Sequence, residues 1–180
     1  QQIDPVLIAA IAHLWFVTIH PFDDGNGRIS RTITDLFLAR ADEMPYRFYS
    51  MSAEIRKQRK RYYEMLEKTQ KGSLDITNWL EWFLDCLEAA LLDTEKSIST
   101  ILQKAAFWDK YRLVSMNERQ IKIVNLFWDG FDGKLTSSKW AKITKCSPDT
   151  ALRDIQDLIT KGVFRKTDEG GRSTNYELVL

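Results

Sequence analysis

Apolar residues recur at helical spacing through most of this chain, and the pattern predicts a mainly α protein. Residues 4 to 19 are apolar on nearly every side, with Asp4 suited to an N-cap and Pro5 to the first helical position. We therefore expect a central, largely buried helix. His13 lies within it and is interpreted as a core residue, because a lone histidine on an apolar helix is more often structural than catalytic.

Three further helical patterns follow in the first part of the chain. The first begins at about Gly27 and ends before Pro45, which cannot continue a helix. The second covers residues 52 to 72, with Ser52 as its N-cap. The third covers residues 74 to 107 without Pro or Gly, and we expect it to close a helical bundle.

The pattern changes near Tyr111 to Asn117, which predicts one domain over residues 1 to 112 and another over 113 to 180. The predicted elements of the second domain are helices capped by Asn117, Ser137 and Ser147, a strand from Val163 to Lys166 and a strand from Tyr176 to Val179. On the third helix, Leu152, Ile155, Leu158 and Ile159 are expected to face inward. This order resembles a winged helix-turn-helix, so the expected fold class is a helical bundle followed by a small α+β winged-helix domain.

Charge leaves the partner of the second domain open. Residues 115 to 180 carry 11 Lys+Arg against 9 Asp+Glu. The presumed recognition helix is expected to expose Asp149, Asp154 and Asp157 beside Arg153, and carboxylates that face a phosphate backbone are unfavourable. Basic residues that keep DNA binding open are Arg172, Lys139, Lys142 and Lys145. A protein-contact or regulatory role is at least as consistent with these charges.

Composition narrows the class of protein. Lys+Arg 26 against Asp+Glu 25 gives a net charge of +1, so no global field attracts nucleic acid or an anionic membrane. Cys86 and Cys146 lie far apart without a metal-ligand pattern, which predicts neither a disulfide nor a zinc site. No apolar run has the length of a membrane span and no signal peptide opens the chain, so a cytoplasmic location is expected.

The densest chemistry lies between His20 and Arg31, in the segment HPFDDGNGRISR. His20 is followed by Pro21, so the preceding helix must end there and leave an imidazole that can take a proton near pH 7. Asp24 offers a hard oxygen suited to Mg²⁺, whose other ligands would be water and substrate phosphate.

Glycines and arginines complete the segment. Gly25 and Gly27 flank Asn26, where a backbone without side chains can approach an anion. A helix that starts here directs its N-terminal dipole at the same anion, and Arg28 and Arg31 share one face of it. These features together predict a magnesium-polyphosphate site with a base beside it.

Each part of the segment also has a plain structural interpretation. Asp24 could cap a helix, the glycines form a turn, the arginines lie on a solvated face and His20 lie at the surface. The occurrence of all these residues within twelve positions favours the magnesium-polyphosphate site over the structural interpretation. HPFDDGNGRISR moreover matches, position by position, the signature HPFx(D/E)GNGRxxR of the Fic domain, and the chain resembles this family, whose usual activity is AMP transfer from ATP to a protein hydroxyl.

The Fic resemblance implies a partial Fic-like bundle in residues 1 to 112, with further helices and a target-docking flap expected upstream of this chain. It implies His20 as the catalytic base and Asp24 as the magnesium ligand. Tyr62 and Tyr63 match a Tyr-Tyr pair that the family places against adenosine, and Gln70 aligns with a family asparagine. The implied ATP-binding residues are Asp24, Gly25, Asn26, Gly27, Arg28, Ile29, Ser30, Arg31, Tyr62, Tyr63 and Gln70.

Two functions follow from these expectations. The first is a protein adenylyltransferase that modifies a Ser, Thr or Tyr hydroxyl of a target protein. The second is a winged-helix transcription regulator in which the Fic loop senses a nucleotide.

The Fic resemblance also bears on control. Many Fic proteins are inhibited by a glutamate from an (S/T)xxxE(G/N) helix that pairs with the second arginine of the motif. Here Ser50 to Glu54 is followed by Ile55, so this segment is not accepted as inhibitory. A carboxylate for Arg31 is expected instead from an upstream segment or from a separate, antitoxin-like protein.

Overall fold

The computed structural model describes residues 3–43, 47–167 and 174–179, and these are mainly helical, which confirms the predicted fold class at that level. The chain packs as two compact units, Gln1–Ile98 and Ser99–Leu180. This division falls inside a long helix that ends at Lys110. The expected domain boundary after residue 112 lies just beyond that helix and stays a prediction.

The first unit is built from helices joined by short loops. They are α1 (Pro5–Ile19), α2 (Asn26–Asp42), α3 (Met51–Lys57), α4 (Arg59–Lys71) and α5 (Thr77–Lys110), of which α5 continues into the second unit. The predicted cap of α1 is confirmed, because the Asp4 carboxylate accepts a hydrogen bond from the Val6 amide at 2.8 Å and Pro5 follows it. Pro45 lies outside the described residues.

The helix predicted over residues 52 to 72 is two helices, so that expectation is wrong in detail. Gln58, with φ −101° and ψ 26°, separates α3 from α4. The cap of α3 is Ser50 rather than Ser52, because Ser50 has the extended backbone that lets its hydroxyl accept from the Ala53 amide at 3.2 Å. Ser52 lies inside the first turn.

Burial of α1 differs from the expectation. Ala9, Ala10, His13 and Leu14 are buried, whereas Trp15 and Ile19 are 54% and 68% exposed. The helix packs on α2, and its exposed residues are Pro5, Trp15, Thr18 and Ile19, three of them toward its C-terminal end. The prediction of a largely buried helix is therefore wrong for the C-terminal part, whereas the helix itself and the buried position of His13 are confirmed.

The core of the first unit is centred on aromatic residues of α5. Trp79, Trp82 and Phe83 are at most 1% exposed, and burial of a side chain of this size contributes about 2 kcal/mol or more. The Trp79 indole N–H also donates to the Ala10 carbonyl at 2.9 Å, which ties α5 to α1. The helices that carry the candidate site share this core, since Leu38 of α2 and Tyr62 of α4 belong to it.

The second unit contains three helices and one antiparallel pair of strands. They are α6 (Glu118–Trp128), α7 (Ser137–Thr144), α8 (Pro148–Thr160), β1 (Phe164–Lys166) and β2 (Tyr176–Leu178). Asn117 caps α6 in a capping box with Gln120, and Ser147 caps α8, as predicted. Thr136, not Ser137, caps α7, because its hydroxyl accepts from the Lys139 amide while Ser137 is already helical.

The element order of the second unit is the one predicted for a winged helix-turn-helix. Phe164 lies opposite Leu178, and the Tyr176 amide donates to the Leu135 carbonyl at 3.1 Å on the other side of β2. The winged-helix assignment stays a prediction. The turn between the strands, with Arg172, lies outside the described residues.

The face that α8 presents to solvent is not the predicted one. Asp154 is 6% exposed, so one of the three expected surface carboxylates is buried, and Asp157 is only half-exposed. Gln120 on α6 donates to Asp157 at 2.8 Å, and Lys161 pairs with it at 2.6 Å. Leu152, expected inside, is 50% exposed. Arg119 and Gln120 of α6 bind Asp154 and Asp157, which explains why these carboxylates are less exposed than expected.

No helix of the described residues is long and apolar enough to span a bilayer. The most apolar of the short helices, α1, has 15 residues.

Candidate active site

His20 occupies the end of α1 with its side chain at the surface. Its backbone lies in the left-handed region at φ 50°, and its amide donates to the Phe16 carbonyl at 3.0 Å, so the helix stops as Pro21 requires. Nδ1 lies 3.3 Å from the Val17 carbonyl oxygen. Since a carbonyl can only accept, the bonded tautomer carries its proton on Nδ1 and leaves Nε2 able to accept one.

Asn26 closes the loop that follows His20. It is 2% exposed, its Oδ1 accepts from the Phe22 amide at 3.1 Å, and its Nδ2 donates to the Phe22 carbonyl. Both ends of the side-chain amide are thus used to hold the loop. The side chain braces the site, and a contribution of Asn26 to ligand binding would come from its backbone.

The start of α2 is an anion-binding geometry. Its N-cap is Gly25 at φ 85°, without a side-chain capping bond, and the Gly25 carbonyl accepts from the Arg28 and Ile29 amides. Asp24 is therefore not the helix cap. The first amides of a helix have no carbonyl partner within it, and together with the dipole they favour an anion at this position.

Asp24 and Arg28 face each other beside this helix start. Arg28 Nη2 lies 3.1 Å from Asp24 Oδ2, and the two side chains are 74% and 91% exposed. Among the residues that the structure describes, no three His, Cys, Asp or Glu side chains are grouped as a metal site. A single exposed carboxylate of this kind still fits Mg²⁺, which commonly keeps several water and phosphate ligands.

Arg31 enters a cleft of about 520 Å³ between α2, α3 and α4. The cleft is lined by Arg31, Ser52, Ala53, Ile55, Arg56, Arg59, Tyr62 and Tyr63. Three guanidinium groups and two aromatic rings suit a ligand with both anionic and planar parts. Arg59 lies over the Tyr63 ring at 5.7 Å, which holds one of these pairs together.

The residues predicted to contact adenosine are not all in one place. Tyr62 is buried and Tyr63 is 55% exposed, and both line the Arg31 cleft. Gln70 instead donates to Thr18 Oγ1 at 3.1 Å and lines a different cleft of about 230 Å³. Eight positions along α4 separate it from Tyr62, about 12 Å. The structure therefore joins the tyrosines with Arg31 but not with Gln70.

The last two predicted residues lie on α2. Ser30 is buried and its hydroxyl donates to the Gly27 carbonyl at 3.0 Å, while Ile29 is half-buried. They support the first turn of the helix rather than its open end.

The Glu54 carboxylate binds Lys57 and Gln58 and is not the partner of Arg31. The carboxylate is 9% exposed, accepts from Gln58 Nε2 at 2.8 Å and pairs with Lys57 Nζ at 3.1 Å. It holds the junction of α3 and α4 together.

Sequence reasoning missed the partners of His13. Its ring joins Thr34 and Tyr62, which are 21 and 49 positions away. No local spacing connects these residues, and the available signal was the recurrence of polar residues at helical spacing, Asn26, Ser30 and Thr34, on the face of α2 that is buried.

A helix start with a glycine cap, an exposed histidine and an arginine-lined cleft together suit an anionic ligand beside a group that can accept a proton. Residues 1–38 match the model of the Fic/DOC family, which confirms the predicted resemblance for this part of the chain. The chain is similar to proteins named "Protein adenylyltransferase Fic" from Aedes aegypti and Culex quinquefasciatus, with 41% identity over 88 residues in each case. The corresponding protein of Drosophila melanogaster is 38% identical over 91 residues.

These matches cover about half of this chain, 48% to 51%, but only 16% to 17% of each relative. The chain therefore spans about a sixth of the length of the curated relatives it matches.

Proposed function

We propose that this protein is a nucleotidyltransferase that transfers AMP from ATP to a hydroxyl of a target protein. The observation that carries the proposal is the start of α2, which has no side-chain capping bond, follows the exposed His20 in the chain and precedes Arg31 of the cleft on the same helix. The names of the relatives support it. The cytoplasmic location of the protein remains a prediction.

Each residue has a role in this reaction. His20 Nε2 takes the proton of the target hydroxyl, whose oxygen attacks the α-phosphorus while the bond to the leaving pyrophosphate breaks. The amides at the start of α2 and Arg28 stabilise the charge that develops. Arg31 binds the γ-phosphate, and Tyr63 offers its exposed ring to the nucleoside.

Mg²⁺ belongs to the proposal as well. Asp24 would hold it, and when bound the ion would neutralise charge on the phosphates.

The test is label transfer from ATP carrying ³²P in the α-phosphate to proteins of a cell extract. His20→Ala should lower transfer by about 10²-fold or more, while ATP binding measured by calorimetry survives, because the base acts only in the reaction. Leu74→Ala, at a residue that is 95% exposed, is the matched surface control. Undiminished transfer in His20→Ala would disprove the role of the base, and absence of ATP binding to the unaltered chain would disprove the function.

We further propose that Arg31 is controlled by a carboxylate from another segment or a separate protein. The support is that Glu54, the nearest sequence candidate, is already paired with Lys57. On this proposal the chain by itself has an open γ-phosphate site, so ATP should bind with a lower Kd than ADP. Equal affinities for the two nucleotides would contradict it.

A second candidate is a DNA-binding regulator, and the ion pairs made by two carboxylates of α8 favour it. Asp154 and Asp157 are neutralised by neighbours, which leaves Arg153 and Asp149 on the exposed surface. The electrostatic objection to DNA binding is therefore weaker than the sequence indicates. An electrophoretic mobility shift with the whole chain at physiological salt tests this. Sequence-selective retention that Arg153→Ala weakens, and that Lys60→Ala in the first unit does not, would favour the regulator.

A further inference from the structure

Behind the Arg31 cleft, a buried histidine joins three helices. His13 on α1 is fully buried. Its Nδ1 lies 2.8 Å from Thr34 Oγ1 on α2, and its Nε2 lies 2.9 Å from the Tyr62 hydroxyl on α4. The ring therefore links the helix that carries the candidate phosphate site to the helix that carries the aromatic wall.

Thr34 fixes the direction of these hydrogen bonds. Its hydroxyl has one hydrogen, which it donates to the Ser30 carbonyl at 3.0 Å. Thr34 Oγ1 must then accept from His13 Nδ1, so Nε2 of the neutral ring accepts from Tyr62. Each donor in the network has one acceptor, and the network specifies one arrangement.

His13 stays neutral in this position. Burial lowers the pKa of His13 to about 4, and the charge of Arg31 acts in the same direction. A protonated ring would have two donors and no acceptor for the Tyr62 hydroxyl. His13 is therefore not a second base beside His20.

The network reaches both sides of the cleft. Ser30 extends it to the glycine turn, because its hydroxyl donates to the Gly27 carbonyl at 3.0 Å. The next residue is Arg31, whose side chain lines the cleft, and Tyr62 at the other end lines the same cleft.

We propose that His13 is a positioning residue for the nucleotide site, which fixes the separation between the Arg31 turn of α2 and the Tyr62 wall of α4. The inference rests on the proposed function, since it assigns this cleft to ATP. A site whose two walls are set in advance loses less freedom when the ligand binds.

The test is calorimetric titration of the whole chain with ATP and Mg²⁺. His13→Leu removes both hydrogen bonds, and we expect ATP affinity to fall about tenfold or more. His13→Gln offers one amide donor and one acceptor oxygen, so it should restore part of the affinity. The Tyr62→Phe background should reduce the additional effect of His13→Leu, because the shared hydrogen bond is already absent.

The control separates positioning from stability. Leu38 is 1% exposed on α2, belongs to the same core and is not part of the cleft lining. Leu38→Ala should therefore lower the melting temperature and leave ATP affinity unchanged. If His13→Leu does not fold, Tyr62→Phe and Thr34→Val each remove one of the two hydrogen bonds of the His13 ring, and Thr34→Val also removes the bond to the Ser30 carbonyl. The two variants give the same comparison.

The outcomes distinguish a failure of the proposed function from a failure of the positioning role of His13. No binding of ATP to the unaltered chain would overturn the proposed function and this inference with it. Unchanged ATP affinity in His13→Leu would overturn the inference alone. An equal loss of ATP affinity in His13→Leu and Leu38→Ala, at matched melting temperatures, would do the same. Where only Tyr62→Phe and Thr34→Val fold, unchanged ATP affinity in both would overturn the inference.

Discussion

The Arg28 guanidinium donates to the Asp24 carboxylate across one turn of chain, with Nη2 3.1 Å from Oδ2. The proposal assigns these side chains to phosphate and to Mg²⁺, so they must separate when the nucleotide binds. An exposed pair of this kind contributes only about 0–1 kcal/mol, and its opening is a small cost against phosphate binding.

We therefore expect Asp24→Asn to leave the melting temperature nearly unchanged and to weaken ATP binding in the presence of Mg²⁺. The reason is that a neutral amide binds the cation poorly, while the lost ion pair was exposed. Calorimetry with and without Mg²⁺ measures this. Asp23→Asn, at the neighbouring exposed carboxylate, should keep the dependence on Mg²⁺. If Asp24→Asn also keeps it, the assignment of the metal ligand is wrong.

The two glycines of the motif should respond differently to alanine. Gly25 has φ 85°, a conformation that costs a residue with a side chain about 1–2 kcal/mol, so Gly25→Ala should lower the melting temperature. Gly27 has helical backbone, and a Cβ there would lie 3.4 Å from Arg31 Nη1. Gly27→Ala should keep stability or raise it by up to about 1 kcal/mol, yet weaken ATP binding, because the added methyl group lies in van der Waals contact with the Arg31 guanidinium and restricts its approach to phosphate.

Thermal unfolding and calorimetry on both alanine variants check this contrast. Equal melting temperatures for Gly25→Ala and Gly27→Ala would contradict the conformational argument. Unchanged ATP affinity in Gly27→Ala would contradict the role given to Arg31.

The second unit should lose stability in acid through Asp154. Burial acts to raise the pKa of Asp154, but the hydrogen bonds from Arg119 and Asn117 outweigh it, and the pKa lies below its usual value. A lowered folded pKa means that the stabilisation is present above the unfolded value of about 3.9 and is lost as the pH falls through the folded value.

Asp154→Asn should therefore destabilise the second unit by about 2 kcal/mol at pH 7, with a difference that shrinks below pH 4. Denaturant unfolding at several pH values measures it. Asp132→Asn, at an exposed loop carboxylate, is the control and should show little effect. A difference between the Asp154 variant and the unaltered chain that is constant down to pH 3 would show that the ion pair does not carry the stability.

Local chemistry was predictable from the sequence, and contacts between distant helices were not. The caps Asp4 and Ser147 were predicted because a capping side chain bonds an amide two or three residues away. Ser50 and Ser52 offered the same hydroxyl, and only the backbone angle of Ser50 decides between them.

Asp154 shows where charge misled the prediction. It precedes Ile155 and lies four positions before Leu158, so helical spacing placed it inside, while its carboxylate favoured the surface. Arg119 resolves this conflict from another helix, 35 positions away.

The phosphate-binding part of the candidate site could be predicted because its residues are contiguous in the twelve-residue motif. The remaining wall of the cleft comes from α3 and α4, which are distant in the sequence. Gln70 was matched by alignment to a family position, and in the structure it lines a different cleft from Tyr62. The network behind the wall, from Thr34 through His13, depends on packing that no spacing reveals.

His13 should give the first unit a dependence of stability on pH that an uncharged replacement lacks. The ring faces the cationic Arg31 and the neutral hydroxyls of Thr34 and Tyr62, and the pKa of His13 is about 4 in the folded chain, against about 6.5 unfolded. The folded pKa is the lower one, so the stabilisation is complete above pH 6.5 and is lost as the pH falls toward 4. The difference, at 1.36 kcal/mol for each pH unit, amounts to about 3 kcal/mol.

The measurement is denaturant unfolding at pH 7, 5.5 and 4, followed by the NMR signal of the Trp79 indole N–H, which donates to Ala10 within the first unit. We expect the free energy of unfolding to fall more steeply with acid in the unaltered chain than in His13→Gln. The carboxylates of the unit titrate in both proteins, so the difference between the two curves isolates the histidine. Parallel curves would mean that His13 accepts a proton as readily in the folded chain as in the unfolded one, and that the ring is not held neutral by its network.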